Sequence, residues 1–233
     1  MSKSTESNSL YEADARAYER HADASLYNAG YERPAMMRVI GDASGLRIVD
    51  AGCAAGYYSA ALGAHAASVI ALDASAEMMR LVEEKRLPNV LVRRHDLAEP
   101  LSWIADASVD LVVSSLAMHY LETWEGTLRE FHRVLVPGGR FVMSVHHSAM
   151  TDPLVDDYFR VQRATDVWTI DGVKHEVSFY HRPLSSVIND VLAAGFAVRR
   201  MIEPQLTARA GASAEEHRLA TRPWFLIVDA FRQ

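Results

Sequence analysis

An apolar run that ends on a carboxylate and leads straight into a turn of tiny residues constrains this chain more than any other feature. The run is Leu46-Arg47-Ile48-Val49-Asp50, and the turn is Ala51-Gly52-Cys53-Ala54-Ala55-Gly56. A short apolar run of this kind reads as a strand covered on both faces, and residues 57–64 continue as a helix. In a parallel sheet, ligands bind outside the carboxyl ends of the strands. Tiny side chains let a ligand approach the backbone, and exposed N–H groups at a helix start suit a carboxylate or phosphate. The competing reading is a tight strand-to-helix turn that holds no ligand.

The alternation repeats along the chain. Strands are expected over 68–72, 90–93, 109–114 and 140–145. Helices are expected over 10–24, over 32–40 with Pro34 in the first turn, and over 75–85 capped by Ser75, with a short helical stretch ending at Leu121. A further helix over 124–135 is closed by Pro137-Gly138-Gly139. Strands alternating with helices imply βαβ units, a parallel sheet and right-handed crossovers. After His147 the pattern changes. Residues 158–181 read as a β-ribbon turned at Asp171-Gly172, 184–194 as a helix stopped by Gly195, and 197–202 and 225–231 as two more strands. Residues 1–9, rich in Ser and Asn, are expected to be disordered. The expectation is one domain over 1–233, with an N-terminal helical cap over 1–40 and an insertion over 152–181.

Composition excludes some functions. A net charge of −6 over 233 residues does not suit nucleic acid or an anionic membrane, which want clustered Lys and Arg. The single cysteine cannot form an internal disulfide, and no Cys/His spacing suggests a metal site. The polar start is no signal peptide, and no stretch approaches the roughly 18 apolar residues of a membrane span. A cytoplasmic location follows as the expectation.

Two further carboxylates follow strands. Asp73 closes Val69-Ile70-Ala71-Leu72-Asp73, about 20 residues after the small-residue turn, where an acidic side chain meets ribose hydroxyls. It also reads as the start of a helix cap, and the two roles are compatible. Asp96 follows the third strand, placed to accept an adenine amine while Leu97 packs on the ring. The dinucleotide fingerprint is a rival reading, but its register puts Tyr57 where the third glycine belongs, and a carboxylate two residues before Gly52 is foreign to it. A nicotinamide-dependent oxidoreductase is therefore disfavoured and stays as an alternative.

Together these residues resemble the class I S-adenosylmethionine-dependent methyltransferases of the small UbiE-like, type 11 kind. In that family the first strand ends in an acidic residue followed by GxGxG, matched by Asp50, Gly52, Ala54 and Gly56. The ribose and adenine carboxylates are matched by Asp73 and Asp96. The segment Val109-Asp110-Leu111-Val112-Val113-Ser114-Ser115 resembles its fourth strand, and Arg133-Val134-Leu135-Val136-Pro137-Gly138-Gly139 its approach to strand five. His181-Arg182-Pro183-Leu184-Ser185 resembles its C-terminal half, and Tyr27-Asn28-Ala29-Gly30-Tyr31-Glu32-Arg33-Pro34 its N-terminal cap.

The resemblance implies a Rossmann-like α/β three-layer sandwich with a seven-stranded, mostly parallel sheet whose last strand is antiparallel. It implies S-adenosylmethionine as cofactor, S-adenosylhomocysteine as product, and the methionine carboxylate over the turn at 52–56. Cofactor contacts are expected from Tyr18, Tyr27, Asp50, Gly52, Cys53, Ala54, Gly56, Asp73, Ala74, Met78, Asp96, Leu97, Ser114 and Ser115. Ala54 departs from the family's middle glycine; if that position needs positive φ, alanine costs about 1 kcal/mol. Cys53 reads as a small packed residue, not a nucleophile.

The implied reaction is in-line methyl transfer to a small-molecule acceptor by a monomer or homodimer. Positioning and water exclusion would supply most of the catalysis, with a base needed only for a protonated nucleophile. Candidates for that base or for acceptor contact are His119 and His146, with His147 beside it, and Tyr180 with His181; each is equally readable as a packed or strand-capping residue. Tyr11, Tyr18 and Tyr27 are candidates for a lid. Phe159, Trp168, Phe179 and Tyr180 of the insertion would shape the acceptor pocket or a dimer contact, or form a local core. A non-catalytic protein that binds S-adenosylmethionine or S-adenosylhomocysteine is the remaining alternative.

Overall fold

The fold follows from a computed structural model, which describes residues 9–207 and 211–233. The expected disordered stretch over 1–9 falls outside them, apart from Ser9. The chain opens with α1 (Ser9–Ala13), α2 (Ala15–Ala24), a wide π-type turn over Leu26–Glu32 and α3 (Arg33–Ile40). The expected helix over 10–24 is therefore two, parted at Asp14, where the backbone leaves the helical region (φ −120°, ψ 27°). Then come β1 (Arg47–Ala51), α4 (Tyr57–Gly63), β2 (Ser68–Asp73), α5 (Ala76–Glu84), β3 (Val90–Arg94) and β4 (Val109–Ser115). A single 3-10 turn over Met118–Tyr120, α6 (Glu125–Val134) and β5 (Leu135–His146) follow.

The strand β5 begins earlier than expected. Pro137-Gly138-Gly139 does not close the preceding helix but lies inside the strand, where the pairing shifts register between Val109 and Leu111 and Gly138 takes φ 77°. A β-bulge of this kind accommodates residues that a regular ladder rejects. Beyond β5 lie α7 (Ser148–Thr151), a 3-10 turn over Asp152–Leu154, β6 (Gln162–Ile170), β7 (Val173–His181), α8 (Leu184–Ala193), β8 (Phe196–Ile202), α9 (Ala214–Thr221) and β9 (Phe225–Arg232). α9 had no counterpart in the sequence reading, although its capping box, Ser213 with Glu216, is visible in the residues.

Seven strands form one sheet in the order β3-β2-β1-β4-β5-β9-β8. The first five are parallel and β9 runs antiparallel to both neighbours. One face packs Leu128 and Phe131 of α6 with Val187 and Val191 of α8 against Val112, Phe141 and Val228. The other packs Met36 and Ile40 of α3 with Leu62 of α4 against Ile48, Val113 and Val142. These two apolar layers make the three-layer sandwich.

The β6–β7 ribbon is a separate two-stranded sheet. Asp171 (φ 51°) and Gly172 (φ 80°) both take the left-handed backbone that its two-residue turn requires. Its inner face, Ala164, Ile170, Val177 and Phe179, packs with Leu10 of the cap. The cap is also tied to α5: the Ser75 hydroxyl donates to the Tyr11 carbonyl (2.8 Å), and Arg16–Glu84 and Lys85–Glu19 ion pairs flank it (2.5 and 2.6 Å).

Candidate cofactor and active site

The cap flanks a cleft of about 960 Å³ over the carboxyl ends of β1, β2 and β4, at the top of the range of ordinary small-molecule sites. Its floor is the expected turn. Gly52 (φ 78°), Ala54 (φ 46°) and Gly56 (φ 80°) all take positive φ, so the condition under which Ala54 is strained is met. A Cβ on Gly52 would lie 2.2 Å from the Ala117 Cβ, which forbids any side chain there.

Four of the turn's N–H groups are engaged within the protein. Those of Gly52 and Cys53 both donate to the Leu72 carbonyl (2.8 and 2.9 Å), that of Gly56 to Cys53 (2.8 Å), and that of Ala54 to the Asp73 carboxylate (2.9 Å). These bonds hold the turn's backbone in place beneath the cavity.

Asp73 sits at the cavity but does not cap the following helix, whose N-cap is Ser75. One oxygen receives the Ala54 N–H and the other the Ser75 N–H (2.9 Å each), and the carboxylate lines the cavity. Its pKa is raised, chiefly by burial and against the two N–H donors. Asp96 lines the same cavity, steadied by the Ala98 N–H (2.9 Å), and Leu97, Ala74 and Met78 line it as well. Gly52, Cys53, Ala54, Gly56, Ser115 and Tyr18 also line it. Burial holds the Cys53 thiol well above its ordinary pKa, as suits a packed residue and not a nucleophile.

Three expected cofactor contacts lie elsewhere. Asp50 is buried beneath the turn, where it accepts the Ser59 hydroxyl (2.6 Å); burial pushes its pKa up to about 7, and its second oxygen has no partner. The buried Ser114 hydroxyl donates to the Ala51 carbonyl (2.9 Å) and ties β4 to β1. Tyr27 packs on Trp224 (5.2 Å between rings) and is not among the cavity-lining residues.

The sequence reading missed Glu32 and Arg33 as site residues, taking them as the start of a helix. Both line the cavity. Glu32 is 1% exposed and accepts three hydroxyls: Tyr58 (2.9 Å), Ser115 (2.8 Å) and Ser144 (2.5 Å). Arg33 lies over the Tyr57 ring (4.0 Å) and pairs with Asp23 (2.7 Å). Tyr57, whose bulk argued against a nicotinamide cofactor, is thus a platform for a cavity cation. Tyr11 and Tyr120 were also missed as a pair: their hydroxyls meet at 2.5 Å beside Tyr18. Burial raises all three phenols, Tyr18 to about 12, so they stay protonated.

The candidate bases stand behind this wall. His119 and His146 stack at 3.8 Å, are 3% and 8% exposed, and are not among the lining residues. Burial lowers both pKa values, His146 to about 3. His147 accepts the Ala149 N–H (3.0 Å) and faces Glu203 (2.8 Å); His181 bonds the Thr151 hydroxyl and the Tyr158 carbonyl. Tyr180 alternates to the ribbon face opposite Phe179 and likewise lines no part of the cavity. No cavity-lining residue comes from 152–181. Of its aromatics, Phe179 and Trp168 join a local core with the cap, while Phe159 is 84% exposed.

Comparisons with known proteins agree with this architecture. Residues 49–143 match the methyltransferase domain family model. An S-adenosylmethionine dependent methyltransferase from Mesorhizobium loti is 29% identical, with a TM-score of 0.71 over 91% of this chain and all of that one. DhpI, in complex with S-adenosylhomocysteine, shares the fold at 20% identity, with a TM-score of 0.67 over 99% of this chain and 98% of that one. Malonyl-[acyl-carrier protein] O-methyltransferase from Pectobacterium atrosepticum is 32% identical over 125 residues, 54% of this chain. The chain spans 47% of the length of that relative.

Fold and site together define a class I S-adenosylmethionine-dependent methyltransferase. Within that class, residues 49–143 carry the match to the methyltransferase domain family, and S-adenosylmethionine is the cofactor. Among the described residues no helix is long and apolar enough to cross a membrane, and no group of three or more His, Cys, Asp or Glu is placed to hold a metal.

Proposed function

We propose that the acceptor is a small molecule and that catalysis rests on positioning and water exclusion rather than on an imidazole base. The supporting observation is the wall around the cleft. Tyr18, Tyr11 and Tyr120 line the cleft with Leu116 and Ala117, the wall to which we assign the methyl group, while His119 and His146 are buried and do not line it.

The cavity's donor set fits the cofactor. Asp96 suits the adenine amine with Leu97 against the ring, Asp73 the ribose hydroxyls, and Arg33 the methionine carboxylate. When bound, the cofactor supplies an electrophilic methyl on a sulfonium whose charge disappears as transfer proceeds. A site for such a reaction has little charge to stabilise, so the tyrosine wall holds the reactants in line and keeps water out. With a net charge of −6, the protein suits a small soluble metabolite of the cytoplasm better than a polyanion.

The malonyl-[acyl-carrier protein] named for the relatives is one acceptor to test against the small-molecule reading, beside neutral hydroxyl and amine compounds. Titration calorimetry with S-adenosylmethionine, S-adenosylhomocysteine and NAD comes first, then transfer of labelled methyl to the panel. Expected are micromolar binding of both sulfur ligands and none of NAD. For any acceptor turned over, His119→Phe and His146→Phe should keep kcat within about tenfold, since general-base loss typically costs 10²–10⁴. A larger loss in a folded variant assigns the base and refutes this reading.

A further inference from the structure

The strand order lays the cavity out as a line. Asp96 follows β3, Asp73 ends β2, the small-residue turn follows β1, and Ser115 ends β4, in a sheet ordered β3-β2-β1-β4. With adenine at Asp96 and ribose at Asp73, the amino-acid end of the cofactor falls between β1 and β4. Glu32 stands there. Its carboxylate bridges Tyr58, in the helix after the turn, to Ser115 at the end of β4, and Ser144 on β5.

Every donor to this carboxylate is a neutral hydroxyl. The neighbouring guanidinium, Arg33, is turned to Asp23 instead. A buried carboxylate without a cation is costly unless something compensates it, and three hydroxyls satisfy its geometry but not its charge. Resting on the reading of the cavity as a cofactor site, we propose that Glu32 is the counter-ion for the α-ammonium of the cofactor's methionine moiety, next to Arg33 for its carboxylate. Two consecutive cap residues would then read the zwitterion with opposite charges. Burial of Glu32, which raises its pKa, is the state that binding of an ammonium relieves.

The assignment is tested by a double cycle between one residue and one ligand group. Calorimetry compares S-adenosylhomocysteine with its des-amino analogue on the wild type and on Glu32→Gln, which keeps the side-chain shape and removes the charge. The wild type should prefer S-adenosylhomocysteine on the order of 10–100-fold, as a hydrogen bond between charged groups allows. In Glu32→Gln that preference should collapse to within about threefold, with the des-amino analogue bound as tightly as by the wild type. A residue that merely pins the cap would weaken both ligands equally and leave their ratio unchanged, which overturns the proposal. If Glu32→Gln does not fold, Glu32→Asp, with the charge withdrawn by one methylene, should lower the ratio, and an unchanged ratio again refutes it. Absence of S-adenosylhomocysteine binding to the wild type would instead strike at the cofactor reading itself.

Discussion

Replacing Asp73 by asparagine is the sharpest perturbation this site offers, because the side chain keeps its shape while its hydrogen-bonding sense is half reversed. Both carboxylate oxygens accept backbone N–H groups, one from Ala54 and one from Ser75, at 2.9 Å each. An asparagine has one oxygen, so whichever way it is turned its NH2 faces an N–H donor. One backbone donor is left unpaired next to another, a penalty of about 1–3 kcal/mol. If the Ala54 contact is the one lost, the hydrogen bond that holds this non-glycine residue at φ 46° goes with it.

In the cofactor complex the loss is compounded. Ribose hydroxyls lose a charged acceptor worth about 1.5–3 kcal/mol, so affinity should fall on the order of 10–100-fold. Asp73→Asn should therefore be nearly as damaging as Asp73→Ala, contrary to what isosteric replacement suggests. Thermal melting of the unliganded protein should show a drop of roughly 2–4 °C per kcal/mol lost, and calorimetry with S-adenosylhomocysteine gives the affinity. Should Asp73→Asn bind that ligand within about threefold of the wild type, the carboxylate is not on the ribose.

Other outcomes follow from the same region. Ala54→Gly should stabilise the protein by about 0.5–1 kcal/mol in a denaturant titration, because relief of left-handed strain exceeds the added entropy of the unfolded chain. Gly52→Ala should destabilise by about 2–4 kcal/mol and abolish cofactor binding in calorimetry, since its Cβ would sit 2.2 Å from the Ala117 Cβ. Asp50, with a pKa pushed up to about 7 by burial, binds its proton more tightly folded than unfolded. Stability should therefore fall as pH rises from about 4 to 7 and level off above. Denaturant titrations of Asp50→Asn across that range should show a flatter pH dependence and a gain over the wild type that is larger at pH 8 than at pH 5.

How much of this was legible in the residues differs between fold and site. The strands of the parallel half announce themselves as short apolar runs because both their faces are covered, and Ser75 marks the start of α5 by capping it, accepting the Met78 N–H (3.1 Å). Asp73 and Asp96 could be read because both sit in the same chain segment as the strand that aims them. Glu32 could not. In sequence it is an ordinary charge ahead of a proline; its partners are 26, 83 and 112 residues away, and only the docking of the cap onto β4 and β5 makes it a buried carboxylate.

The histidines failed in the opposite sense. His119 and His146 do stand near the carboxyl ends of β4 and β5, as the alternation predicts, but reach is decided by packing, and Phe179 from the distant ribbon closes on both rings at 6.0 and 4.5 Å. The sequence by itself determined the alternation, the turn with its positive-φ positions, and the two carboxylates that end or follow their strands, because periodicity and backbone conformation are local. Which charges face the cavity, which N–H groups are already occupied and which bases are walled off were decided by the tertiary structure, because each depends on groups brought together from far apart along the chain.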